Sequence, residues 1–241
     1  MRVAVISDIH GNFDALAAVL ADIDKSKIDM VVCLGDCIGY GAEPERVIRT
    51  LQERGIPSTL GNHEQAVLER DRLDWFNPMA KASLIKTVSM LSEETLRMIK
   101  GFPTFLASNG SRFVHGFPPA SVTTYSFELS PADKRRVLDN LVESVSFFGH
   151  THDLCIITYD GHTLTDAPLG LEPIAILPDH RYAINVGSVG QPRDGNNNAK
   201  YVIWDKSDAT FEVKFVPYDI AAAADKIIAA GLPEIHAKRL W

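Results

Sequence analysis

The chain is poor in several things, and each shortage excludes something. Of its 241 residues only three are cysteines, Cys33, Cys37 and Cys155. An odd, sparse count gives no disulfide framework and points to a reducing compartment. No apolar run approaches the ~18 residues that a membrane span requires. The opening "MRVAVISDIHG" has no apolar signal region and no cleavage site, so it reads as a strand rather than a leader. A cytoplasmic protein with no membrane association is the expectation. Basic residues are also scarce, with 24 Lys and Arg against 31 Asp and Glu and a net charge of −7. General nucleic-acid binding needs clustered cations, so this balance argues against it. Repeats, low-complexity tracts and linkers are missing too, and residues 1–241 read as one domain. What remains is ordinary globular composition, 46% hydrophobic and 23% charged, with enough length to bury a core without staples.

Apolar periodicity gives the outline. "RVAVISD" and "DMVVCLGD" are short apolar runs suited to buried strands, and "IPSTLGNH" reads as a third. Between them, "NFDALAAVLADID" and "EPERVIRTLQERG" have helical spacing, the second with Pro44 at its start and Gly55 at its stop. This alternation predicts a parallel sheet with helices packed on it. From about 64 to 100 the chain turns helical, an excursion expected over the strand ends. "TFLASNGSRFVHG" reads as a hairpin turning at Asn109-Gly110. The second half is strand-rich and partly antiparallel, with "PADKRRVLDNLVE" and "IAAAADKIIAAG" as helices.

Residues competent to bind metal gather just after the apolar runs. They are Asp8 and His10, then Asp36, then Asn62 and His63, then His115, then His150 and His152. Singly these are weak signals. Asp-x-His also describes a capping Asp beside a surface His, and Asn62 also suits a helix cap. The carboxyl edge of an open α/β sheet is where sites form, however, and five such endings in one chain make a pattern. In "SFFGHTHD", His150 and His152 at i and i+2 would point to one side of an extended chain, with Gly149 relaxing the turn. Asp8, His10, Asp36, Asn62, His115, His150 and His152 supply seven nitrogen or oxygen ligands. Two metals would receive four each if Asp36 bridges. A mixed set suits Mn²⁺, Fe, Zn²⁺ or Ni²⁺ better than Mg²⁺ or Ca²⁺. His63 is then left over beside the site, free to handle protons. His162, His180 and His236 have no motif partners and read as structural. Trp75 and Phe76 suit either helix packing or the roof of a nucleobase, with packing the simpler account.

Taken together, "DIH" (8–10), "GD" (35–36), "GNHE" (61–64), "HG" (115–116) and "GHTH" (149–152) resemble the motif series of the calcineurin-like metallophosphoesterases. "NVGSVGQPRDG" (185–195) extends the likeness towards the small bacterial and archaeal phosphodiesterase branch. The resemblance implies an α/β fold, a two-layer β sandwich of mixed sheets flanked by helices, with two divalent metals at one edge. Asp8, His10, Asp36 and His152 would hold one metal, with Mn²⁺ the first expectation; Asp36, Asn62, His115 and His150 would hold the other. It implies hydrolysis of a small phosphodiester or phosphoanhydride, such as a nucleotide or dinucleoside polyphosphate, with His63 catalytic. Asn62, Tyr40 and Arg193 are candidate substrate contacts. The protein-phosphatase branch carries G-D-x-x-D-R-G, whereas "GDCIGYG" here puts Gly39 and Tyr40 at the Asp and Arg positions. That weighs against a phosphomonoesterase or protein phosphatase, and it leaves open what orients His63. A non-catalytic interaction scaffold of the same fold is the other alternative. A homo-oligomer is compatible with either.

Overall fold

The computed structural model describes residues 1–170 and 172–241. Strands β1 (Arg2–Ile6) and β2 (Met30–Cys33) flank helix α1 (Phe13–Ile23), and α2 (Pro44–Glu53) follows. The excursion comprises α3 (Asn62–Leu68), a 3-10 turn (Arg70–Trp75), α4 (Pro78–Val88) and α5 (Glu93–Lys100). Then come β3 (Phe105–Ser108), β4 (Ser111–Val114), α6 (Pro131–Asn140) and β5 (Val145–Phe148). Strands β6 (Leu154–Tyr159), β7 (Leu164–Pro168), β8 (Ile174–Ala175), β9 (Arg181–Val186), β10 (Ala199–Asp205) and β11 (Thr210–Val216) precede α7 (Ile220–Ala229) and α8 (Glu234–Lys238).

The strands form two mixed sheets, in the orders β2-β1-β10-β11-β8 and β3-β4-β5-β9-β6-β7. Both faces of β1 are covered, which is why its sequence is an unbroken apolar run. Val3 and Val5 face the other sheet and share a buried cluster with its Phe113, Phe147 and Ile184 and with Phe211 of their own sheet. Ala4 and Ile6 face outward onto Leu16, Val19, Leu20 and Ile23 of α1. In the second sheet Val145 and Phe147 of β5 point into the sandwich, while Phe148 packs outward with Leu138 of α6. Phe147 stacks on Phe113 at 5.3 Å and meets Phe211 edge-on at 5.7 Å, which links the two layers.

What positions the site is the direction of five strands. β1 runs parallel to β2, and β4, β5 and β9 run parallel to one another. Their carboxyl ends carry Asp8 and His10, Asp36, His115, His150 and His152, and the 185–195 loop.

Two expectations change here. "IPSTLGNH" forms no strand; it contributes a single bridge, Ser58 to Cys33, and its end turns directly into α3. Pro57 has no ladder donor and Gly61 weakens an extended run, so the segment pairs at one point only. Helix α8, which periodicity did not suggest because it spans barely one turn, closes the described chain. No helix among the described residues is long and apolar enough to cross a membrane.

Candidate metal centre

The loops after β1, β2 and β5 adopt unusual backbone. Asp8, His10, Asp36, His150 and His152 all have left-handed φ, between 49° and 69°. Asp and His enter this region more readily than most residues, yet each instance costs on the order of 1–3 kcal/mol. Five in one place persist only because the surroundings hold them. The Glu64 carboxylate does this for the Asp36 loop. It accepts N–H bonds from Asp36 (2.8 Å), Cys37 (2.8 Å), Ile38 (3.1 Å) and Gly61 (3.0 Å). Burial, with Asp36 nearby, pushes its pKa up to about 7. The 185–195 loop does it for the others. Ser188 Oγ donates to the Asp8 carbonyl at 2.8 Å, and Asn185 Nδ2 donates to Gly149 O and Thr151 Oγ1, both at 2.8 Å.

Glycine at 149 answers a need for space rather than for unusual angles, since it is the following histidines whose φ is positive. A Cβ at Gly149 would lie 2.1 Å from Ser7 Oγ and 2.4 Å from Asp8 Oδ2. The histidine pair therefore is not extended, and its two rings diverge into different clusters.

In the first cluster, His10 Nε2 lies 3.0 Å from His152 Nε2, and Asp8 Oδ1 is 3.3 Å from His152 Nε2 and 3.8 Å from His10 Nε2. In the second, His115 Nε2 lies 3.0 Å from Asn62 Oδ1 and 3.2 Å from His150 Nδ1. Asp36 Oδ2 belongs to both, 3.7 Å from His10 Nε2 and 3.4 Å from His115 Nε2. All seven expected ligands thus converge. Asn62 opens α3, but its side-chain oxygen is spent on His115 rather than on a cap.

The outward nitrogens of the four rings fix the inward ones. His10 Nδ1 meets Ile38 O at 3.1 Å, His115 Nδ1 meets Leu34 O at 3.0 Å, His150 Nε2 meets Thr123 O at 3.0 Å and His152 Nδ1 meets Gln191 O at 2.5 Å. A carbonyl only accepts, so each outward nitrogen carries the proton and each inward nitrogen offers a lone pair. Lone pairs then face one another at 3.0 and 3.2 Å across buried space. Asp8 Oδ1, also buried, has no hydrogen-bond partner among the described residues. Acceptors facing acceptors call for a cation between them, and this donor set fits two divalent ions. Burial works against charge on His115, but Asp36 outweighs it and raises the ring to about 9, so without an ion a proton takes that place. Burial drops His150 to about 3 and His10 well below the usual imidazole range.

His63 borders the first cluster, its ring edge-on to His10 at 4.6 Å, its Nε2 3.8 Å from Asp36 Oδ2 and its Nδ1 buried without a hydrogen-bond partner among the described residues. Burial lowers its pKa to about 4, so the ring is neutral at pH 7. Aromatic neighbours fix its plane: Tyr40 lies edge-on at 4.7 Å and Phe76 at 5.1 Å. Gly39 is required beneath it, because a Cβ there would lie 2.2 Å from His63 Nδ1. The position that carries Asp in the protein-phosphatase pattern is here the floor of the ring. His236, read as structural, lies fully buried at 0% exposure and stacks on Tyr40 at 4.5 Å. Only the long-range fold brings α8 to this place, and no local signal in the sequence marks it.

Above the centre opens a cleft of about 650 Å³. Asn62, Tyr40 and Arg193, the expected substrate contacts, all line it, together with His63 and Arg239. Trp75 lines it too and is 64% exposed, so it is not a packing residue; Phe76 is half-buried against the core.

The calcineurin-like phosphoesterase family model matches residues 1–154. An uncharacterised protein, MJ0912 of Methanocaldococcus jannaschii, is 36% identical over 99% of this chain and 97% of its own. The crystal structure of a metallophosphoesterase from Sphaerobacter thermophilus matches with a TM-score of 0.84 and 32% identity, over 100% of this chain and 98% of that one. The hypothetical protein PH1004 from Pyrococcus horikoshii shares the fold, with a TM-score of 0.78 and 21% identity over 100% and 97% of the two chains. The chain belongs to the calcineurin-like phosphoesterase family.

Proposed function

We propose that this phosphoesterase hydrolyses a small phosphodiester or phosphoanhydride at a pair of divalent metals, Mn²⁺ first among them. The observation that carries this reading is the pair of inward-facing donor clusters sharing Asp36 Oδ2 at the floor of the cleft. Asp8, His10, Asp36 and His152 would hold one ion, and Asp36, Asn62, His115 and His150 the other. When bound, such ions supply an ionisable water near neutral pH and neutralise charge on phosphate oxygens.

The chain's own residues do the rest. Arg193, whose side chain donates to Gln191 Oε1 at 3.3 Å and makes no ion pair among the described residues, is free to grip a phosphate oxygen. His63, held edge-on by Tyr40 and Phe76 and neutral before substrate binds, would give a proton to the leaving oxygen once it has taken one up. Negative charge on bound phosphate raises its pKa and so favours uptake of that proton. Tyr40, pushed up to about 12 by burial, keeps its phenolic proton and serves as a neutral donor. Gly39 and Tyr40 replace the Asp and Arg of the protein-phosphatase pattern, which supports a small-molecule substrate over a phosphoprotein. Because the cleft draws on residues from Asp36 to Arg239, we treat 1–241 as one working domain. A cytoplasmic setting fits its three free thiols.

The test is turnover of bis-p-nitrophenyl phosphate by Mn²⁺-loaded protein. Metal-dependent release of nitrophenol is expected, falling about 10²–10⁴-fold in His63→Ala with metal content unchanged. Turnover of phosphopeptides alone would contradict the reading.

A further inference from the structure

One residue of β10 breaks the pattern of its strand. Alternation sends Ala199, Tyr201 and Ile203 towards α1, and Val202 and Trp204 into the sandwich. Lys200 falls on the same inner face as Val202 and Trp204, and it is fully buried at 0% exposure. A buried ammonium is unfavourable unless paired and hydrogen-bonded, and an apolar side chain would carry no such penalty here. β10 runs antiparallel to β1, so Lys200 lies at the sheet edge that carries Asp8 and His10.

Among the described residues, every hydrogen-bond and ion-pair partner of Lys200 Nζ belongs to one loop, 194–198. Nζ pairs with Asp194 Oδ1 at 2.8 Å, donates to Asn198 O at 3.1 Å and donates to Asn196 O. That loop has little else to hold it. "DGNNN" offers no apolar side chain to bury, and residues 194–197 are exposed. Its own side-chain bonds are local: Asn196 N donates to Asp194 Oδ1 at 3.3 Å, and Asn198 N to Asn196 Oδ1 at 3.0 Å. Such bonds close small turns without tying them to the body.

Arg193 comes immediately before this loop and lines the cleft. Its own ties are long, from its N–H to His152 O at 3.4 Å and from its side chain to Gln191 Oε1 at 3.3 Å. Where its guanidinium points therefore depends on the chain to either side. Before it, Gln191 N donates to Ser188 Oγ at 2.8 Å. After it, the anchor is Lys200.

We propose that Lys200 is a positioning residue for phosphate recognition, holding loop 194–198 to the end of the sandwich so that Arg193 faces the cleft. This deepens the hydrolase reading and rests on the part that Arg193 plays in it. Lys200 is not among the residues that line the cleft, so its effect passes through the loop.

The experiment compares four Mn²⁺-loaded proteins: wild type, Lys200→Met, Arg193→Ala and the double variant. Methionine keeps an unbranched stem without the charge, and Asp194 is left at the surface where water can solvate it. Asp194→Ala, which cuts the pair from the loop side, takes its place if Lys200→Met does not fold. KM for bis-p-nitrophenyl phosphate is expected to rise roughly tenfold in Lys200→Met, as for loss of one charged hydrogen bond. The dissociation constant of inorganic phosphate in equilibrium dialysis should rise by a similar factor, while kcat and bound Mn²⁺ stay at the wild-type level. In the Arg193→Ala background the same substitution should add nothing, a result that a merely structural role would not give. Unchanged KM and phosphate binding would overturn the proposal. So would effects that add in full to those of Arg193→Ala, an Arg193→Ala protein that binds phosphate as tightly as wild type, or loss of Mn²⁺ from Lys200→Met. If no protein hydrolyses the ester while phosphate binding still depends on residue 200 through Arg193, the hydrolase reading fails and the positioning role stands.

Discussion

Along the sheet edge, Asp8, His10, Asp36, His150 and His152 hold left-handed backbone, each with further groups fixing it, and every one is buried. Across the cleft, the excursion presents Trp75 at 64% exposure from a 3-10 turn, and Arg239 reaches in from an exposed position on the other side. One side is fixed by carbonyls, N–H groups and close packing on a sandwich core. The other is held by a few caps, such as Asn77 on α4 and Ser92 on α5. The difference matches a division of labour. Metal ligation needs atoms within tenths of an ångström, whereas recognition of a leaving group tolerates adjustment.

Breaking the rigid side should have the largest effect. Asp36→Asn removes the one oxygen common to both clusters and substitutes an amide that donates where cations are expected. Bound metal should drop from two to one or none per chain, and turnover should fall by about 10⁴-fold or more, since such ions supply several kcal/mol of the catalysis. Elemental analysis beside kinetics reads this, and full metal content in the variant would break the shared-ligand account. Gly39→Ala probes the boundary between the two sides. Its Cβ would enter the His63 ring at 2.2 Å, so kcat should fall about a hundredfold while metal content stays at the wild-type level. Normal kcat would mean that the ring's place over Gly39 is unimportant.

Smaller effects sharpen the contrast. In Glu64→Gln, an amide NH₂ must face two of the backbone N–H groups that the carboxylate now accepts from. Metal affinity should weaken by about 10–100-fold, as for other groups that orient ligands from behind. A variant that binds Mn²⁺ as tightly as wild type would deny the Asp36 loop its dependence on this clamp. The looser side should answer to acid. Glu45, on α2, accepts from Ser92 N and Ser92 Oγ, both at 2.9 Å, and so ties α5 down. Burial pulls its pKa up, but these bonds and Arg49 outweigh it and hold the carboxyl at about 2, against an ordinary 4.5. The folded-state pKa is the lower one. Its contribution is therefore present above pH 4.5 and fades as pH falls towards 2. Melting temperature against pH for wild type and Glu45→Gln should converge over that window, by a small amount because the pair with Arg49 lies near the surface. Curves that stay parallel would remove Glu45 from the account.

The same contrast governs what could be read from the sequence. Each ligand follows an apolar run or a glycine motif on a parallel strand or its neighbour, so local pattern and a general rule of sheet edges located it. The hairpin at Asn109-Gly110 was legible for the same reason, since both residues take the left-handed angles that its turn demands. The "IPSTLGNH" segment misled because an apolar, β-branched run also suits a connection pinned by one bridge. The aromatic box around His63 was not legible. Tyr40 and Phe76, which touch the ring, and His236, which backs Tyr40, come from three separate stretches, and no spacing rule relates them. The reason for Gly39 becomes visible only when the ring above it is in place.

Titration of metal-free protein with Mn²⁺, following bound metal by elemental analysis and spin coupling by electron paramagnetic resonance, probes the paired clusters most directly. Two ions per chain are expected, magnetically coupled, with turnover of bis-p-nitrophenyl phosphate rising as the pair fills. Two uncoupled ions, or no stoichiometric binding at all, would contradict it.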